Sequence, residues 1–468
     1  GTVSRGQRVA AGSTVSSVGT DSYQWCAVTY EVGGAQISGY VVFAYISLDD
    51  PEFTATLKSL GFPDSYIPYL TKLHGIHPNW TFQAIQTGLD WNTVVAGEAG
   101  IGTSLIYSSV DDAWKSTDPG TYDWYSNTYT PYDGASWVNA SKDIVAYYLD
   151  PRNSLTDPNV FQFLNLSYDG ATQSESAVQK QLASSFMASG MINNDAGAAV
   201  SYSAAFMDAG QQSGASPYFL VSRVMQEISP SGSRSTSGTE PSHEGYYNYY
   251  NIGASSSPDP VILGLLFAQY GSSNPSKYPM SAENQAKYLI PWNSPYRSIV
   301  GGAKFISQNY ISRGQNTLYF QKFDVINNDD GLYKHQYMTN IQAMTGESST
   351  LYSAYSKSGI LDVPLTFSIP VYSGMPDFAA PLPAKTGNPN NFLSQLAVDG
   401  YSITPSFDPG VTDGYSLIIP FQASQINLSA AAVSSFASVA GIGSIPMNVG
   451  ENKLQISVTA QNGAVRIY

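Results

Sequence analysis

Apolar positions along the chain change period twice, from two to about 3.6 and back to two. In residues 1–49 they alternate through GSTVSSVG, YQWCAVTYEV and GYVVFAYIS, with glycine-containing turns between, so short strands are expected. From residue 51 the spacing becomes helical. PEFTATLKSLGF and DSYIPYLTKLHGIHP read as helices, and NWTFQAIQTGLDWNTVV as a strand followed by a helix. The Tyr-, Trp- and Gly-rich stretch from Gly102 to Ala135 predicts a loop region with little regular structure, and loops of that length are often functional. Helical spacing returns in WVNASKDIVAYYLDPRN, SAVQKQLASSFMASG and YSAAFMDAGQQSG, where Gly190 and Gly214 suit helix ends. A further helix is expected over SIVGGAKFISQNYISR, with Gly301 and Gly302 allowing close helix contact. LDVPLTFSIPVYSGMP reads as extended, and AAPLPAKTGNPNN has the composition of a linker. From residue 392 alternation resumes, and Asn462-Gly463 marks a hairpin.

Composition narrows the functional classes. Only 12% of the 468 residues are charged, about half the usual share, while 34 are tyrosine and 43% are apolar. A surface so poor in charge must present hydroxyls, amides and aromatic rings, which suits carbohydrate. The net charge of −14 argues against nucleic acid as a partner. No apolar run approaches the ~20 residues that span a bilayer, so no membrane insertion is expected. Cys26 is the only cysteine, in a strand-like run where a small buried hydrophobe is expected. Neither a disulfide nor a multi-cysteine metal site can form within the chain. His74 and His77 have HxxH spacing, but Pro78 breaks the helix and no third ligand supports them, so no metal is assigned. No phosphate- or dinucleotide-binding glycine loop occurs in a strand–helix context, and no cofactor is implied.

The candidate chemistry lies in residues 216–254. Ser216-Pro217 reads as a helix start, with the serine capping and the proline at the first helical position. Leu220, Val221, Val224, Met225 and Ile228 recur at helical spacing, and Ser229-Pro230 and Gly232 end the helix. Glu227 thus falls at the end of a half-buried helix, before a polar loop and the tyrosine-rich GYYNYYNIGA. A carboxyl there could be a general acid for glycoside cleavage, its pKa raised by partial burial, or simply a solvated helix-terminal residue.

SRVMQE, GYYNYYNIGA, SIVGGAKFISQNYISRGQNTLYFQKFDV and HQYMTNI, in that order, resemble the catalytic core of the bacterial endo-β-N-acetylglucosaminidases of glycoside hydrolase family 73. The resemblance runs roughly from Pro63 to Ile341. It implies a mainly α, lysozyme-like catalytic domain and a peptidoglycan hydrolase with Glu227 as its acid. It also implies that Tyr249, Tyr250, Asn251 and Gly253 form the floor of the cleft and that Tyr337 lies near the acid. Tyr246 and Tyr247 are further candidates for substrate contact, although alternate residues of an extended segment face opposite ways, so some of these tyrosines must be core. A second carboxylate would stand about 6.5–9.5 Å from the acid in an inverting enzyme and about 5–5.5 Å in a retaining one. Glu240, Glu244, Asp259 and Glu283 are available, and Glu244 is the first choice because SHEG runs directly into the tyrosines. Attack by the substrate's own acetamido group is the alternative to a second carboxylate. His243 and His335 lie beside the proposed cleft segments.

Two flanking resemblances complete a multidomain reading. Residues 1–50 are similar to the bacterial Src-homology-three-like modules, a small β-barrel here short of its first strand. Residues 392–468 resemble a cadherin-like β-sandwich expected to continue past Tyr468. The catalytic domain is expected over 51–375 and a linker over 376–391. The expected protein is a monomer, exported and associated with the cell wall, acting on peptidoglycan glycan strands. Other readings remain open: a lytic transglycosylase or muramidase on the same polymer, or a non-catalytic wall-binding protein.

Overall fold

The computed structural model describes residues 10–15, 25–32, 34–42, 50–255, 259–327 and 331–468. It divides into two compact units, Gly1–Pro78 and Asn79–Tyr468. In the first, strands Ala10–Val15, Trp25–Val32 and Ala35–Val42 form an antiparallel meander. Cys26 is in the middle strand, and its side chain lies outside the described residues, as do residues 43–49. The same unit holds α1 (Pro51–Ser59), started by the Asp50 carboxylate accepting from the Phe53 amide, and α2 (Ile67–Ile76). His74 stacks on Phe53, with ring centroids 3.8 Å apart.

The second unit opens with the expected strand–helix pair, Trp80–Asp90 followed by α3 (Trp91–Glu98). The extended segment near residue 365 is a strand, Leu365–Ser373, and it pairs with Trp80–Asp90 in parallel, Trp80 opposite Leu365 and Phe82 opposite Phe367. Trp80, Phe161 and Phe367 pack together beneath this pair, all buried. The region 102–135, expected to lack regular structure, instead carries short strands. Leu105–Tyr107, Trp137–Asn139 and Pro131–Asp133 form one small sheet, and Tyr122–Asp123 pairs with Thr128–Tyr129. None exceeds three residues, too few for a period to show in sequence.

The helical body follows: α4 (Lys142–Leu149), α5 (Glu175–Leu182), α6 (Tyr202–Ser213), α7 (Pro217–Glu227), α8 (Arg234–Ser237), α9 (Pro260–Tyr270), α10 (Ala282–Lys287), α11 (Pro295–Ser307), α12 (Leu318–Phe323) and α13 (Ala343–Lys357). Capping side chains set most of these starts, as with Ser201 on the Ala204 amide and Ser294 on the Arg297 amide. Gly214 closes α6 in the left-handed region at φ 73°, as expected. Gly190 closes no helix. The helix expected to reach it stops at Leu182, and Tyr202 packs where a Cβ on Gly190 would stand, 2.8 Å from its ring.

Residues 393–468 form two three-stranded sheets around Leu393, Val398, Ile426, Leu428, Ile456, Val458 and Tyr468. Asn462-Gly463 turns the final hairpin, with Gly463 at φ 86° and the Ala460 and Ala464 backbones bonded across it. The preceding segment, 376–391, has no regular structure, yet it is not a free linker. Arg152 and Asp150, both fully buried, form an ion pair at 2.7 Å. The Arg152 guanidinium also donates to the carbonyls of Pro376, Asp377 and Phe378, and Asp150 accepts from the Ala380 amide. Further along, Trp114 donates to the Pro383 carbonyl, and Asn390 donates to the Trp124 carbonyl and the Tyr122 hydroxyl.

Candidate active site

Helix α7 positions Glu227. Pro217 starts it, Leu220, Val221 and Val224 are buried at 0% exposure, and the chain turns extended at Ile228. Ser216 precedes the helix but makes no capping hydrogen bond with its side chain, contrary to expectation. The Glu227 side chain keeps 35% of its surface exposed, so its enclosure is partial. Asn251 Nδ2 reaches the Glu227 carbonyl at 3.0 Å and its Oε2 at 3.3 Å. Ser235 Oγ donates to Asn251 Oδ1 at 3.1 Å, which orients the amide. Asn251 holds this position from a left-handed backbone, φ 50°, a conformation asparagine tolerates better than most residues. Arg223, one turn back on α7, stands 3.9 Å from the other carboxylate oxygen.

Asn251 is the outward group of a segment that is otherwise structural. The Tyr247 amide donates to the Trp292 carbonyl, that of Asn248 to the Ser235 carbonyl, and that of Tyr249 to Ser298 Oγ. Asn248 is fully buried and bonds to Ile252 and Gly264. Tyr249 and Tyr250, expected on the cleft floor, are instead core. Tyr249 has 0% exposure and shares a hydrogen bond with the Tyr202 hydroxyl; Tyr250 donates to the Ile299 carbonyl. The Tyr250 ring fills the space beside Gly302, where an added Cβ would sit 2.4 Å from it. Gly301 allows equally close approach of the Tyr288 carbonyl, so this glycine pair, expected to allow close helix contact, makes room instead for a ring and a carbonyl. Tyr246 and Tyr247 are half-buried, Tyr246 against the Phe267–Trp292 cluster.

The candidate second carboxylates separate clearly. Glu240 and Asp259 both grip Arg234, at 2.5 Å and 3.1 Å. That hydrogen-bonded guanidinium holds the Glu240 carboxyl below its ordinary range, and Asp259 also caps α9 through the Val261 amide. These two therefore fasten the polar loop. Glu283 lies in the first turn of α10. Glu244 is exposed and has no hydrogen-bonding partner among the described residues. His243 Nδ1 pairs with Gln269, and His335 Nε2 with the Asn309 carbonyl at 2.7 Å. A carbonyl only accepts, so this His335 nitrogen carries a hydrogen. Among the described residues no group of three His, Cys, Asp or Glu is arranged to hold a metal.

A cavity of about 220 Å³ opens beside α7, lined by Arg223 and Gln226 with Phe305, Tyr310 and Tyr337. Tyr337 is 42% exposed there, its ring edge-on to Tyr310 at 6.1 Å, and Tyr310 in turn packs on the His335 ring at 4.8 Å. Arg223 joins this cavity to Glu227.

No family model matches the chain. Over 248 residues, 50% of the chain, it is 32% identical to the beta-N-acetylglucosaminidase of Bacillus subtilis (strain 168). Over 246 residues it is 26% identical to a bifunctional autolysin of Staphylococcus epidermidis. The chain is similar to bacterial glucosaminidases and autolysins over half its length. It spans 23% and 16% of the lengths of those two relatives. Among solved structures, a major bifunctional autolysin aligns over 62% of this chain and 98% of its own, with 24% identity and a TM-score of 0.42. S. aureus glucosaminidase B aligns over 63% and 94%, with 18% identity and a TM-score of 0.39.

Three groups escaped the sequence reading: Arg223 at the cavity, Ser235 behind Asn251, and the buried pair Glu98–Lys322. The pair left a trace in sequence, since VVAGEAG and YFQKFDV each set charge within an apolar run. A buried charge needs a partner, and nothing in the spacing tells which distant residue supplies it.

Proposed function

We propose that this chain is a cell-wall hydrolase of the autolysin type. It cleaves the β-1,4 bond after N-acetylglucosamine in peptidoglycan glycan strands, with Glu227 as general acid. The observation that carries this reading is the 32% identity over 248 residues to a relative named beta-N-acetylglucosaminidase. The geometry supports it. Glu227 ends a rigid helix, stays open to a ligand and is held on one side by Asn251. In this reading Glu227 protonates the glycosidic oxygen as the bond breaks. Asn251 and Arg223 fix the orientation of the carboxyl, and Tyr337 meets the N-acetyl group or the attacking water. Glu244 is the first candidate to assist, since Arg234 engages Glu240 and Asp259. If Glu244 does not act, the substrate acetamido group is the nucleophile. The helical domain is lysozyme-like in this account, with the flanking β segments as a wall-binding or spacer barrel and a cadherin-like sandwich. The protein acts as an exported, wall-associated monomer.

Zymography on bacterial walls tests the reading. The parent chain should clear the wall, and Glu227→Gln, which keeps shape but cannot donate the acidic proton, should be roughly 100–10,000-fold weaker. A Glu227→Gln chain that clears walls as well as the parent removes Glu227 from the role.

A further inference from the structure

Behind Tyr337 lies a buried cluster of ionisable and polar side chains. Glu98, the last residue of α3, and Lys322, in α12, both have side chains with 0% exposure. Glu98 Oε2 and Lys322 Nζ are 3.8 Å apart, too far for a direct hydrogen bond. Gln336 bridges them. Its Nε2 donates to the two Glu98 oxygens at 3.2 Å and 3.0 Å, and its Oε1 accepts from Lys322 Nζ at 3.2 Å. Lys322 also reaches Ser104 Oγ at 3.3 Å and the Thr103 carbonyl at 3.4 Å. One end of the Gln336 amide is thus held by the Glu98 carboxyl group and the other by the Lys322 amino group.

The neighbouring residues are anchored from the same side. Buried Asp324 accepts from the Lys334 and His335 amides at 2.9 Å and 2.8 Å. Gln315 Nε2 donates to Asp324 and to the His335 carbonyl. The Tyr337 amide donates to the Gln321 carbonyl at 2.7 Å. Segment 334–337 is therefore fastened inward by the α12 region, and from it the Tyr337 ring projects into the cavity beside α7. Burying two ionisable groups is costly, and a buried pair is often no more stabilising than apolar residues of the same volume. What such a bridged pair does provide is a single orientation for the group it grips.

We infer that Glu98, Lys322 and Gln336 are positioning residues for Tyr337, fixing its ring at the cavity that adjoins Glu227. The inference rests on the proposed function for its catalytic consequence, and on the hydrogen-bond geometry alone for the positioning itself. The test is a double-mutant cycle on full-length protein, with peptidoglycan turnover and hydrogen exchange as readouts. Gln336→Leu should lower kcat roughly 10–100-fold with little change in KM, the scale of a misplaced group. On top of Tyr337→Ala it should lower kcat hardly further, because the group it positions is already gone. Equal losses in both backgrounds, or no loss in the first, overturn the inference. Amide exchange across 333–338 should quicken in Gln336→Leu while the other helices keep their protection; unchanged exchange overturns it without reference to activity. Where Gln336→Leu fails to melt cooperatively, the near-isosteric Glu98→Gln takes its place in the cycle with the same two outcomes. Activity of Glu227→Gln, run alongside, reports separately on the proposed acid. Should the parent chain prove inactive, the proposed function falls, and the exchange result still decides the positioning.

Discussion

Asn251 does two jobs with one side chain: it stops α7 at the Glu227 carbonyl and steadies the Glu227 carboxylate. Its backbone is left-handed, so Asn251→Gly keeps the turn and removes only the amide. Stability by chemical denaturation should fall by about 1–3 kcal/mol. Turnover should fall roughly tenfold or more, since hydrogen bonds to charged groups contribute about 1.5–3 kcal/mol; unchanged turnover would free Glu227 from Asn251. Tyr250 behaves differently. Its ring is buried against Gly302, so Tyr250→Ala should cost about 3–5 kcal/mol in a denaturant titration, and a glycan-binding defect without loss of stability would contradict that placement. Sequence alternation showed that YYNYYN could not face one way as a whole. It could not show which residues turn inward, because that depends on Ser298 and Trp292, dozens of residues later. Glu98 yields a third expectation. Burial raises its pKa from 4.5 to about 8, with Lys322, Gln336 and Ser104 opposing the shift and Asp324 adding to it; Tyr333 also faces it. Between those values the unfolded chain releases a proton that the folded chain keeps, so stability should fall as pH rises from about 4.5 to 8. Melting curves across that range should show the slope in the parent and a flatter one in Glu98→Gln.

At the scale of elements, the helices that announce themselves in sequence are those with an apolar stripe and a clear start or stop residue, such as α6, closed by Gly214, and α7, begun by Pro217. The short strands between 105 and 139 carry no such signal, because their partners fix them rather than their own period. Segment 376–391 shows the limit of composition most plainly. Proline, glycine and asparagine speak for a linker, yet what decides its behaviour is Arg152, more than 200 positions earlier, gripping three consecutive carbonyls. Arg152→Ala would leave Asp150 buried and unpaired and those carbonyls without their donor. The expected cost is about 3–5 kcal/mol by denaturant titration, with faster amide exchange across 376–382. A change within experimental error would mean that the strap stays docked without its clamp.

Across the whole molecule, a chain with 35 acidic and 21 basic residues places few of its charges at the candidate site. Arg223 and Glu347 line the cavity, with Glu227 beside Arg223, amid hydroxyls, amides and rings. Under the proposed function, such a site would meet a glycan by shape and hydrogen bonding, with Glu227 supplying the acid. The most direct measurement is the chemistry of the ends it makes. Purified peptidoglycan digested with the parent chain and reduced with borohydride should yield fragments ending in reduced N-acetylglucosamine, and the same digestion with Glu227→Gln should yield almost none. Reduced muramic acid or anhydromuramic ends from the parent chain would contradict the account.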